Sequence, residues 1–147
     1  MKRNMKGSRN TLSRAYAAYA WISVGLVFFA HVYRLFGHGM TSASMENAHL
    51  YTLGLGFAFM WILNFVQVRL KIRLASQKAF PWFFDIYNTG VAFLAARGII
   101  KGILDIAGYA SPKVSIFVWC AVACFAVAFV LLVLCFVMTF IQKKHAA

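Results

Sequence analysis

Five ionisable residues set in apolar surroundings are where this chain could do chemistry. His31 and Arg34 stand near the end of the first apolar stretch, His49 opens the second, and Arg97 and Lys101 lie inside the third. Ionisable side chains at membrane depth are costly to desolvate and by default mark functional positions. Neutral imidazole is a common axial ligand to haem iron. Guanidinium pairs bidentately with carboxylates, so Arg34 and Arg97, with Lys101 beside them, suit the two propionates of a haem. Two histidines and several cations near one membrane surface therefore predict a b-type haem, with His49 and His31 as the iron ligands. Phe28, Phe29, Phe57, Phe59, Trp61 and Phe93 supply apolar walls. A plainer reading stands beside this one: histidines at a membrane boundary are often interfacial, and arginines near helix ends extend their heads to water.

Depth supports the grouping. At 1.5 Å per residue, His31 lies about 7 Å below the end of the first span at Phe36, and His49 falls in the first turn of the second. Arg97 and Lys101 lie about 10 Å and about 5 Å below the end of the third. His31, Arg34 and His38 follow one helical face. His49, Leu53, Gly56, Met60 and Asn64 follow another, with a glycine where a flat ligand or a second backbone could come close.

Other constellations carry less. His38, Met40, Met45 and His49 offer imidazole and thioether ligands that suit copper, but their spacing is irregular. A small drug transporter would place an acid in the first span, and that span has none; Asp85 is the acid that enters a span. Tyr19, Asn64, Asp85 and Asn88 read as a structural hydrogen-bond network in preference to a proton relay. Cys120, Cys124 and Cys135 all fall in the last apolar stretch, where small residues pack between helices. No nucleophile–base pair, phosphate loop or three-histidine copper site is present, so electron transfer or haem or gas sensing fits better than turnover. A transporter or a structural membrane subunit is the alternative.

The elements that position these residues follow from composition. Of 147 residues, 63% are hydrophobic and 12% charged, about half the charge of a soluble domain. A soluble core of this size could not hide so much apolar surface, so the bilayer is the solvent. Four spans are expected, near 15–36, 48–68, 82–104 and 114–141, as an all-α integral membrane four-helix bundle in a single domain. Gly37 and Gly39 are stop signals, Ser42 or Ser44 a cap, and Pro81 a first helical residue. Residues 1–14 are basic, and the apolar stretch after them runs too long for a signal peptide; they are expected to be a cytoplasmic tail. The net charge of +12 is concentrated in the termini and one loop, a pattern of membrane orientation and not of nucleic-acid binding. Four spans put both termini on one side, which then holds eleven of the fifteen lysines and arginines, Lys71 and Arg73 among them. The positive-inside rule makes that side the cytoplasm and the chain a multi-pass membrane protein.

A resemblance adds to this reading. Tyr33-Arg34, then His49-Leu50-Tyr51-Thr52-Leu53-Gly54, then Tyr87-Asn88-Thr89-Gly90 and Arg97-Gly98 resemble a domain-of-unknown-function family of small bacterial four-span membrane proteins, from about Tyr16 to Gly108. Relatives tend to open the second span with His-x-His. Here the first of those positions is Asn47, so His31, from the same or a neighbouring subunit, is inferred to stand in for the missing ligand. The entry His49 followed five residues later by Gly54 is also similar to the haem-copper oxidase catalytic subunit, whose twelve helices form three four-helix arcs. That similarity implies haem and a homo-oligomer, a trimer above all.

Overall fold

The computed structural model describes the backbone of residues 2–36, 39–70, 72 and 74–145, and the side chains of 11–36, 39–70, 72 and 74–142. Gly37, His38, Lys71 and Arg73 therefore lie outside the described residues, as does the side chain of His145. All regular structure among the described residues is helical, in four rods.

The first rod, α1, runs Lys2–Phe36, so the basic segment expected as a tail continues the first span as helix. Gly39, at φ 82°, donates its N–H to the Arg34 carbonyl at 3.0 Å and closes the end of this rod. The second rod is interrupted. Ser42 caps α2 (Ala43–Glu46), its hydroxyl accepting from the Ser44 N–H, as the capping preference of serine predicts. Asn47 then separates α2 from α3 (Ala48–Tyr51). A seven-residue π-helical segment, Thr52–Ala58, follows and leads into α4, Phe59–Arg69. The third rod, α5, runs Phe80–Ile106 with Pro81 in its first turn. It stops in a Schellman arrangement: Gly108 has φ 74°, Tyr109 donates to the Leu104 carbonyl at 2.9 Å, and Gly108 to that of Asp105 at 3.3 Å. The fourth rod, α6, is Ile116–His145. The end of the bundle that holds α2 and α3 is called the upper end below.

Successive rods are neighbours. The α1 helix packs on α3, the π segment and α4; α2 and α3 pack on α5; and α5 packs along α6. Glycine makes the second of these contacts close. A Cβ at Gly98 would stand 2.8 Å from that of Ala48, and one at Gly102 would stand 2.4 Å from that of Met45. This small-xxx-small pair therefore serves contacts within the chain. Tyr87 is the aromatic hub. Its ring stacks on Phe59 of α4 with centroids 4.6 Å apart and meets Phe125 of α6 at 5.3 Å. At the lower end, the Gln77 side-chain amide donates to the Thr139 hydroxyl and to Gln142 Oε1, tying the turn before α5 to α6.

The surface is inverted relative to that of a water-soluble protein. Trp21, Phe28, Trp119 and Phe129 are each more than two-thirds exposed, while Ser23, Thr52 and Gln67 are buried. Thr11–Phe36, Ala43–Arg69 and Pro112–Gln142 are each long and apolar enough to cross a membrane. The α5 helix matches them in length with 27 residues, but Asp85, Arg97, Lys101 and Asp105 lower its apolar character.

Gly102→Val forces a side chain into Met45. It should lower the thermal midpoint in detergent, a loss of about 1–3 kcal/mol as for other overpacked interiors. Gly25→Ala, where the new methyl meets nothing within 4 Å, should leave the midpoint unchanged or slightly higher. Equal midpoints for the two variants would mean that α2 does not dock on α5 as described.

Candidate functional site

At the upper end, α1 and the start of the second rod border an open apolar groove of about 730 Å³. Ser23, Val24 and Phe28 of α1 line it together with Leu53, His31 and His49. A smaller recess of about 200 Å³ adjoins these histidines and adds Arg34 and Glu46. His31, His49 and Arg34, three of the residues the sequence put forward, are thus brought together.

The His49 ring is fixed by its own chain. Its Nδ1 lies 2.7 Å from the Glu46 carbonyl. A carbonyl only accepts, so Nδ1 carries the hydrogen, and the neutral ring keeps its lone pair on Nε2. The break at Asn47 puts that carbonyl within reach, three residues before the histidine. Below the ring, the Thr52 hydroxyl donates to the His49 carbonyl at 2.9 Å and lies 2.7 Å from the Ser23 hydroxyl. Ser23 also lies 2.8 Å from the Tyr19 carbonyl as a donor. Two hydroxyl protons serve three contacts, so the pair alternates between them while tying α1 to the π segment under the groove.

Arg97 and Lys101 are elsewhere. Both sit on α5, and neither lines the groove or the recess. The Nε of Arg97 is buried with no hydrogen-bond partner among the described residues. Lys101 is engaged: its Nζ lies 3.0 Å from Asp105 Oδ2 and donates to the Ser44 hydroxyl at 3.1 Å. The Ser42 hydroxyl donates to the same carboxylate at 2.9 Å. Sequence reasoning passed over Asp105, although the spacing Lys101-x-x-x-Asp105 is an i,i+4 pair. An acid in the last turn of a helix opposes the helix dipole. The hydrogen bond from Lys101, and then that from Ser42, offset this and hold the Asp105 carboxyl below the ordinary carboxylate value.

The copper set does not converge. Met45 is buried against Gly102, Met40 is half exposed, and His38 is outside the described residues. Among the described residues no group of three or more His, Cys, Asp or Glu is placed to hold a bare metal ion. The three cysteines are free, with Cys135 buried. Of the expected polar network, Tyr19 and Asn88 are joined, the Tyr19 hydroxyl 2.5 Å from Asn88 Oδ1. The Oδ1 of Asn64 is buried without a partner among the described residues, and Asp85 is exposed.

The chain belongs to the family described as protein of unknown function DUF2871, which it matches over residues 10–144. No curated protein and no solved structure matches it.

The lowered value of Asp105 fixes the sign of a pH effect. The carboxylate's contribution is fully present above about pH 4, the ordinary value, and is lost as pH falls from there through the lowered one. The thermal midpoint of Asp105→Asn should therefore lie below that of the wild type at neutral pH, and the gap should close on acidification. A gap of constant size down to pH about 3 would show that the charged carboxylate is not what holds α2 to α5.

Proposed function

We propose that this chain is a multi-pass protein of the bacterial cytoplasmic membrane that binds a b-type haem in the upper groove and serves electron transfer or haem or gas sensing. In this reading all four rods cross the bilayer, with both termini in the cytoplasm and the upper end facing out. The charge distribution supports that orientation: eleven of fifteen lysines and arginines fall to the lower side.

The observation that carries the reading is the pairing of two imidazoles in one apolar groove, with His49 Nε2 left free by the bond from Nδ1 to the Glu46 carbonyl. Metal-binding histidines characteristically engage their second nitrogen with a carbonyl or carboxylate. The groove, at about 730 Å³, falls among ligand pockets of about 300–1,000 Å³. Its lining is almost wholly hydrocarbon, which excludes water from an iron centre. Bound haem supplies a reversible one-electron iron couple.

Each residue then has a role. His49, through Nε2, would hold the iron, and His31 of α1 would be its second ligand. Arg34, in the recess beside both histidines, would pair with a propionate. Ser23 and Thr52 hold α1 and the π segment in register, which keeps the two imidazoles facing one groove. Arg97 and Lys101, absent from the groove within one chain, take a propionate role only across a subunit boundary. A homo-oligomer, with a trimer favoured by the likeness to three four-helix arcs, would supply that boundary.

Protein purified in detergent from haem-replete cells, or titrated with haemin, should show a Soret band, with sharp α and β bands after dithionite. His49→Ala should weaken haem retention by at least about tenfold, roughly 1.4 kcal/mol. His31→Ala should convert a low-spin spectrum to a high-spin one, and Arg34→Leu should weaken retention with the spectrum unchanged. A visible spectrum that stays featureless after haemin addition would overturn the reading.

A further inference from the structure

A second groove, of about 570 Å³, runs between α1 and α5, on the other side of the Ser23–Thr52 pair from the first. Ser23 lines the upper groove and Thr52 lines this one. Its walls are small and aliphatic, with Ala15 and Ala18 from α1 and Ala92, Ala95 and Ala96 from α5. Its polar lining is Tyr19, Thr52 and Asn88.

The polar lining has a donor to spare. The Tyr19 hydroxyl and the Asn88 Oδ1 are 2.5 Å apart. With the tyrosine donating, both amide hydrogens of Asn88 remain without a partner among the described residues. With the amide turned over, one of its hydrogens goes to the tyrosine oxygen and the phenol hydrogen is released instead. Either way, a hydrogen-bond donor faces an apolar slot. In the reading that α5 crosses the bilayer, on which this inference rests, Asn88 lies about 12 Å along α5 from Phe80, below the depth of lipid headgroups. An acyl chain offers it no acceptor, and a donor left unpaired in hydrocarbon costs free energy. The outward face of α6 is equally unsuited, because Trp119, Val122, Phe129, Val130 and Val133 present hydrocarbon and an indole donor. The occupant that meets these terms is flat enough to pass between alanines, soluble in the membrane, and equipped with a carbonyl oxygen.

We propose that the α1–α5 groove binds a membrane-soluble quinone, its ring between the alanine walls and one carbonyl accepting from the Asn88–Tyr19 pair. The proposal stands apart from the haem reading, since none of its contacts uses His31, His49 or Arg34.

Trp21 and Trp82 lie near the groove in sequence, two residues from Tyr19 and Phe84 of its lining, so quinone binding should be seen as quenching of tryptophan fluorescence. Full-length protein in phosphatidylcholine nanodiscs, titrated with decylubiquinone, should show saturable quenching. Asn88→Leu should weaken binding about tenfold by removing the donor. Ala92→Leu should weaken it comparably by filling the slot while leaving the donor in place, which keeps the test valid if Asn88→Leu misfolds. Decylbenzene, with the same tail and no carbonyl, should fail to compete. Linear quenching that both variants share would overturn the proposal. Equal competition by decylbenzene would do the same, identifying a lipid slot. Disulfide cross-linking between copies of Ala92→Cys, unaffected by quinone, would instead assign the groove to a second chain.

Discussion

The hydroxyl of Tyr87 donates to the Leu55 carbonyl at 2.6 Å, and much of the upper bundle depends on that bond. A switch from four- to five-residue hydrogen bonding occurs at Thr52–Ala58, where the Phe59 N–H reaches back to the Gly54 carbonyl. Returning to four-residue bonding passes over one carbonyl. In an apolar medium a backbone group passed over in this way needs another partner. Tyr87 brings that partner from α5, and its ring fills the space between α4 and α6. Gly56 completes the arrangement from the opposite side: a Cβ there would stand within 2.5 Å of the Tyr19 ring. The π segment is therefore clamped between a tyrosine of α1 and a tyrosine of α5. Its rotation decides that Thr52 meets Ser23 and that His49, one turn earlier, faces α1.

This explains which parts of the site were legible in the sequence. Charge and hydropathy locate the rods, because bilayer thickness and the cost of buried charge act on composition directly. The histidines and Arg34 were legible for the same reason, since they interrupt apolar runs at similar depth. The π segment was not, because the extra residue per turn leaves an apolar stretch apolar, and only Gly54 and Gly56 hint at it. The placement of Arg97 and Lys101 was not legible either. Depth is shared by every residue at one level of a bundle, while the direction a side chain takes is fixed by helix rotation. Rotation here follows from Gly98 and Gly102 turning one face of α5 to α2 and α3. The cap of the second rod was legible in Ser42, but the rod begins at Ala43, five residues before the expected span.

The upper end carries an ionic arrangement that follows from the same constraint. An acid at the C-terminal end of α5 is unfavourable by itself, and a lysine one turn earlier places cation and acid in the weaker order for a helical pair. Both become useful once Ser42 and Ser44 are added. Ser42 caps α2 with its hydroxyl oxygen and gives its hydrogen to Asp105, while Ser44 accepts from Lys101. The loop helix is thus bound to α5 by polar contacts where water is near and by glycine packing deeper down. That docking sets where Glu46 lies, and the Glu46 carbonyl sets the tautomer of His49.

Arg97 is the group least well served by a single chain. Guanidinium stays charged in any protein environment, and its Nε is buried without a partner among the described residues. Each acid of the chain is occupied or distant. Asp105 is held by Lys101 and Ser42, Glu46 lines the recess beside α1, and Asp85 is exposed three helical turns away along α5. Arg97 is half-buried, and a buried guanidinium N–H left without an acceptor costs free energy. In the proposed reading the missing acceptor comes from outside the chain, as a propionate or a group on a neighbouring subunit. Within that reading, Arg97 marks where α5 would receive such a group.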